Sequence, residues 1–363
     1  MSGIAAKPLF EPRWQGELTD YVTAIAWSPT SPVLASSSAA GEVVLHFVTL
    51  GARQDLQAAT GASIDALAFS HDGQFLAAGG QNGQVTVWQL QGERAVRVAA
   101  LDIAPAWVDQ MAWSPTRCQL AFSLGKYVQV WDAAAVAIVA TLNFDSSSVL
   151  DITWHPDGNR LTVSGYQGVK IWTAADWDDD PYLLTIPSAS VAIAWSSDGK
   201  YIASGNLDRT ITVLEWDNPH PWVMRGFPGK IRQLTWSELP RDRKSSQKSP
   251  LLATASAESL VTWEKHPDEA IGWEGQVLGN HAAPVNALRF QPGSTLLASG
   301  SEDGWLMLWQ NAKQLVQRLN GTSNGFSSLA WHPQGRWLAA GGCAGEVLIW
   351  SQVQRGTGFK RNA

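Results

Sequence analysis

One apolar run that ends in an aromatic ring and passes at once into a turn occurs eight times in this chain. The copies read AIAWSPTSP, ALAFSHDGQ, QMAWSPTRC, DITWHPDGN, AIAWSSDGK, QLTWSELPR, ALRFQPGST and SLAWHPQGR. Their aromatic anchors are Trp27, Phe69, Trp113, Trp154, Trp195, Trp236, Phe290 and Trp331, spaced 42, 44, 41, 41, 41, 54 and 41 residues apart. A constant period of this size is the tightest constraint on the fold. A unit of about 40 residues cannot bury its own apolar face and must stack on copies of itself.

Each unit continues in the same way. A small-residue run follows the turn: VLASSS, FLAAGG, QLAFSL, RLTVSG, YIASGN, LLATAS, LLASGS and WLAAGG. A third run ends in VTVW, VQVW, VKIW, LVTW, LMLW or VLIW, with looser versions VVLHF and ITVLEW, and a more polar fourth segment closes the unit. Period-two alternation, β-branched residues and bounding Gly, Pro and Asp predict strands and not helices. Asp-Gly pairs at 72–73, 157–158 and 198–199 supply the positive-φ residue of a tight hairpin. Four strands per unit of about 40–45 residues make a propeller blade, so the predicted class is all-β.

Bulk properties narrow the function. With 45% hydrophobic residues the chain can bury a sizeable core, and a net charge of -6 argues against general nucleic-acid binding. Two cysteines, Cys118 and Cys343, cannot form a disulfide framework, and no paired zinc ligands stand out. No secretory signal and no 18-residue apolar stretch is evident, which sets the expected location in the cytoplasm without a membrane partner.

The stretch NHAAPVNALRFQPGSTLLASGSEDGWLMLW resembles the WD-repeat family of β-propellers, and the pattern covers essentially the whole chain. The resemblance implies a hydrogen-bonded set of His281, Ser299, Asp303 and Trp309. Only this unit has all four; the fifth has Ser204 and Asp208 but Leu214 in place of tryptophan, and the Trp-Asp pair stands in register only at Trp131-Asp132. The resemblance also implies a ring closed by an N-terminal strand, here residues 8–18, which completes the last unit and leaves no open edge. The expected architecture is a single closed propeller over residues 1–363, with four-stranded antiparallel blades. Eight blades are expected, with seven as the alternative. Repeats begin near 20, 62, 106, 147, 188, 229, 283 and 324.

Two stretches depart from the repeat. SELPRDRKSSQKSPLL lengthens the sixth unit into a basic loop over 237–250 carrying Arg241, Arg243, Lys244 and Lys248, and ADWDDDPY makes an acidic segment in the fourth. Of the 20 tryptophans, twelve anchor first or third strands; the other eight are Trp14, Trp107, Trp177, Trp216, Trp222, Trp273, Trp305 and Trp337. These eight are divided between contact surface and blade-to-blade packing.

Catalytic signatures fail in turn. GQNGQV lies in a strand-turn-strand context, and there is no G-x-S-x-G elbow. His71-Asp72, His155 with Asp157, and His332 occupy matching turns of separate units, too far apart around a ring to share a metal. No catalytic residue, metal or cofactor is therefore expected. In WD-repeat proteins partners commonly bind the face where the loops entering the first strands meet the turns before the third strands. The matching positions are Tyr21, Asp65, Gln81, Trp107, Asp109, Leu150, Leu207, Lys230, Arg232, Asn286 and Glu302. The expected function is a non-catalytic scaffold, monomeric by itself, for a protein or peptide partner and not for nucleic acid. The alternative is a propeller that binds a small ligand or metal in its central channel.

Overall fold

The computed structural model describes residues 8–238, 249–279 and 281–353. The basic stretch expected over 237–250, with Arg241, Arg243, Lys244 and Lys248, therefore lies almost wholly outside the described residues. All regular structure among the described residues is β, paired antiparallel throughout.

The unit with the most regular sequence shows how the repeat folds. Val285–Phe290, Leu297–Ser301, Trp305–Gln310 and Gln314–Asn320 pair in chain order. The second strand, LASGS, is buried along its whole length, because both of its faces meet neighbouring sheets. The outermost strand alternates between exposed and half-buried or buried positions, as a rim strand with one wet face must. The first-hairpin glycines meet two demands at once. Gly158 has φ 73°, and a side chain there would collide with Thr116 of the preceding unit.

Hydrogen bonding sorts the strands into seven sheets, which corrects the expectation of eight separate blades. Six sheets have four strands; one has six, holding the fourth and fifth sequence units together. The cause is Tyr182–Trp195, which stays extended through TIPSAS where other units break into a loop. Its first half pairs with Arg160–Thr173 and its second half with Tyr201–Asn206. Arg160–Thr173 itself reverses at Gln167 and Gly168, both with positive φ, and Ala174 N–H reaches the Asn159 carbonyl at 2.9 Å.

Phe10–Glu17 is the fourth strand of the last sheet, pairing with Glu346–Gln352 from Phe10 opposite Gln352 to Glu17 opposite Glu346. Phe10 is buried against Trp331, with ring centroids 5.3 Å apart. The preceding unit holds this strand through Gln317, whose amide accepts from Leu9 and Phe10 N–H (2.7 and 3.0 Å) and donates to Phe10 O at 2.6 Å.

Among the described residues, adjacent sheets are not joined by a strand ladder. A recurring link is the first-strand tryptophan. The indole N–H donates to the carbonyl just before the anchor of the preceding unit: Trp27 to Ala330, Trp113 to Ala68, Trp154 to Ala112, Trp236 to Ala194 and Trp331 to Arg289, all at 3.0–3.1 Å. Trp195 instead reaches Thr162 Oγ1 at 2.8 Å. Val22–Trp27 lies beside both Ile64–Phe69 and Phe326–Trp331, so the first and last units are neighbours.

Candidate functional site

The first strands converge on a central channel. The side chains three and one residues before each anchor face it, and most are alanine, since bulk there would crowd the axis. Four positions carry longer polar groups instead: Gln110, Asp151, Gln233 and Arg289. Asp151 accepts the Ile152 and Ile193 N–H groups, each at 2.8 Å. Burial raises its carboxyl to about 6, against the opposing pull of those N–H groups and the Arg289 charge. Arg289 is wetted along the channel yet ringed by protein, and this burial depresses its guanidinium pKa, with Asp151 opposing. Neither residue was among the expected site positions. Their signal in the sequence is the replacement of a small residue at a channel-facing position.

On the loop face the expected residues fall into groups. Leu207, Lys230, Arg232 and Asn286 line one cavity of about 500 Å³, and Arg209 adds a further cation. Asp65 and Asp109 line another of about 330 Å³ at the channel mouth, with Asn286 and Arg289 on its far side. Partial burial and the Asp65 charge raise the Asp109 carboxyl. Tyr21 and Glu302 sit together: burial first, then Cys343 and Glu302, raise the Tyr21 phenol, which the Ser327 hydroxyl opposes. Asn286 Nδ2 donates to Glu302 Oε1 at 3.4 Å and to Phe326 O at 3.2 Å. Gln81 and Trp107 are exposed on adjoining segments, joined by Val108 N–H to Gly80 O at 3.1 Å. Leu150 stands apart, half-buried, its N–H on Ser164 O. Trp107 and Asp109 precede the strand Met111–Trp113, so strand alternation does not relate them. A larger depression of about 790 Å³, lined by Glu11, Arg13 and Arg336, lies on the rim where the terminal strands pair.

The set of His281, Ser299, Asp303 and Trp309 comes together. Trp309 Nε1 donates to Ser299 Oγ at 2.9 Å, Ser299 bonds His281 Nε2 at 2.8 Å, and His281 Nδ1 bonds Asp303 Oδ2 at 3.0 Å. Burial depresses the His281 pKa despite the Asp303 carboxylate. Burial also disfavours the Asp303 charge, but the Ala282 and Trp305 N–H groups and His281 outweigh it and hold that carboxyl low. A neutral imidazole donating from Nδ1 and accepting at Nε2 satisfies every member.

Of the eight spare tryptophans only Trp107 (54%) and Trp305 (37%) are exposed. The rest pack: Trp177 on Trp154, Trp216 on Trp195, Trp337 on Trp27, Trp14 on His46, and Trp222 and Trp273 on each other. On the opposite face, His155 pairs with Asp157 at 2.7 Å and His332 packs between Trp27 and Trp337. His71 and Asp72 meet a residue not grouped with them in the sequence, Cys118, whose thiol donates to Asp72 Oδ2 at 3.3 Å. Burial, then the Asp72 carboxylate, push that thiol up to about 11. Among the described residues no helix is long and apolar enough to cross a membrane.

Comparison with known proteins agrees with this architecture. The family described as WD domain, G-beta repeat matches residues 137–173, 181–215, 272–310 and 313–351. The Anaphase-promoting complex subunit 4 WD40 domain matches 25–116. Protein hir1 of Schizosaccharomyces pombe is 23% identical over 244 residues, covering 58% of this chain and 26% of its own length. Protein HIR1 of Cryptococcus neoformans is 28% identical over 167 residues, covering 40% and 19% respectively. Transcriptional corepressor LEUNIG_HOMOLOG of Arabidopsis thaliana is 21% identical over 291 residues, covering 78% and 34%. The chain thus spans about a third or less of the curated relatives it matches. Repeat period, antiparallel four-strand units and these matches converge on one conclusion: the chain belongs to the WD-repeat β-propeller family.

Proposed function

We propose that this propeller is a non-catalytic scaffold that holds an extended protein or peptide segment across its loop face. The observation that carries this reading is the division of charge around one mouth. Arg209, Lys230 and Arg232 line the cavity on one side, and Asp65 and Asp109 line the other. An acidic stretch of the segment lies against the three cations, and a basic or apolar stretch lies against the two carboxylates and Trp107. Nucleic acid is a poor fit, because a phosphate backbone needs a surface of one sign. Scaffolding also suits the relative named as a transcriptional corepressor. The chain acts as a monomer in a reducing compartment, the cytoplasm, in keeping with its two free thiols.

The test begins with a partner recovered from the native cell and identified by mass spectrometry. Trp107→Ala should cost about 2 kcal/mol or more of its affinity. Arg232→Glu should chiefly slow association and alter its salt dependence. The control is Val277→Ala on the outer strand Trp273–Leu278, where Val277 is exposed and packs against little. If only the control loses binding, the partner uses the side of the propeller. A nuclear signal for the tagged chain would overturn the compartment and favour a transcriptional setting.

A second reading has its own observation. Gln110, Asp151, Gln233 and Arg289 line a channel cavity of about 600 Å³, where a small ligand carrying both charges would fit. A metabolite library that raises the melting temperature of the native chain but not of Arg289→Ala would favour it.

A further inference from the structure

We propose that His71, Asp72 and Cys118 form a divalent-cation site of the zinc class, pinning two neighbouring units together on the face opposite the loop cleft. His71 and Asp72 come from the first-hairpin turn of the second unit, and Cys118 from the corresponding turn of the third. Each offers one ligand atom, and the three atoms lie within 4.8 Å of one another. Tetrahedral zinc with bonds of about 2.0–2.3 Å needs ligand atoms roughly 3.3–3.6 Å apart. The Cys118 Sγ to Asp72 Oδ2 distance, 3.3 Å, already meets that requirement. His71 is exposed, so rotation of its side chain can close the remaining gap without disturbing a core.

The ligands are held in place by their own turns. Asp72 Oδ1 accepts the Ser70 hydroxyl at 2.6 Å and Gln74 N–H at 3.0 Å, which leaves Oδ2 facing Cys118. The Cys118 backbone is fixed by Ala133 N–H on its carbonyl at 2.9 Å, immediately before the strand Gln119–Leu124. Supporting bonds of this kind orient metal ligands. The donor types choose the ion. Imidazole, carboxylate and thiolate together suit a borderline cation such as Zn²⁺, whereas Mg²⁺ and Ca²⁺ prefer oxygen alone. On coordination the Cys118 S–H bond breaks, its proton passes to water, and the thiolate and Asp72 balance the two positive charges. Three protein ligands leave the fourth position to a water molecule.

Cobalt(II) is the probe, titrated into the reduced full-length chain. The Cys343→Ser protein should bind one equivalent, showing tetrahedral visible bands and a near-ultraviolet thiolate-to-cobalt charge-transfer band, both bleached by zinc. His71→Ala, which alters only an exposed side chain, should weaken binding by about tenfold or more. Cys118→Ser should lose the charge-transfer band. At one zinc concentration, the melting temperature of Cys343→Ser should rise clearly more than that of His71→Ala. Absence of the charge-transfer band in Cys343→Ser, or unchanged affinity in His71→Ala, overturns the site.

Discussion

His46 stands where six other units place the third-strand tryptophan, opposite Leu34 as Trp309 stands opposite Leu297. Its Nε2 bonds Ser36 Oγ at 2.8 Å, which reproduces the indole-to-serine bond of Trp309. The imidazole is 1% exposed, however, and its Nδ1 has no partner among the described residues, whereas His281 gives its Nδ1 to Asp303. Burial, reinforced by Arg53, lowers the His46 pKa to about 4. The sign follows from proton counting. Between about 6.5 and 4 the unfolded chain binds a proton here and the folded chain does not, so stability is full above 6.5 and is lost as pH falls. From pH 6.5 to pH 5 this one group should cost about 1.5 kcal/mol. Asp151 works the other way, because a raised carboxyl favours folding as it protonates below about 6. Comparison with a variant therefore isolates the histidine. His46→Leu, which copies the Leu214 of the fifth unit, should shrink the stability difference between pH 6.5 and pH 5 measured by urea unfolding. An unchanged difference would show that His46 does not titrate as argued.

At the scale of elements, the inter-sheet indole bonds explain why six of eight first-strand anchors are tryptophan. Leu and Phe would fill the same layer, but only indole adds a donor that reaches the neighbouring strand. Trp113→Phe keeps a ring of the kind found at Phe69 and Phe290 yet leaves the Ala68 carbonyl without its partner. The expected cost is about 1–3 kcal/mol. Trp305→Phe, at an exposed third-strand position, should cost far less. Equal losses in a paired denaturation experiment would mean that the indole N–H contributes nothing beyond the ring. Trp131 shows the complementary case. Its Nε1 is buried and has no partner among the described residues, because Phe122 occupies the place that Ser299 and Thr254 take beside Trp309 and Trp263.

For the whole molecule, stability rests on a strand drawn from the far end of the chain. Removing residues 1–18 would expose the Glu346–Gln352 edge, unseat Phe10 from Trp331 and free Gln317. An unpaired, partly apolar edge is a template for intermolecular pairing. The truncated chain should melt earlier and scatter light on warming. A synthetic peptide of residues 8–18 should restore the melting temperature in a concentration-dependent way, since it binds only the folded ring. A truncated chain that melts like the intact one would show that this sheet stands on three strands.

The sequence by itself determined what is local and periodic. Strand order within a unit and the Asp-Gly turns follow from spacing along one segment, and the family resemblance pointed to the partners of His281, which lie within 22 residues of it. The resemblance also assigned residues 8–18 to the last unit, and Phe10–Glu17 pairs there. Tertiary structure alone decided what happens between units. It merged two units through Tyr182–Trp195, drew six of eight spare tryptophans into packing, aimed Asp151 and Arg289 into one channel, and brought Cys118 to His71 and Asp72. The physical reason is separation. Partners such as Trp113 and Ala68, or Cys118 and Asp72, lie 45 and 46 residues apart. Side-chain periodicity runs only within a strand, so contacts one full repeat away depend on how the ring closes.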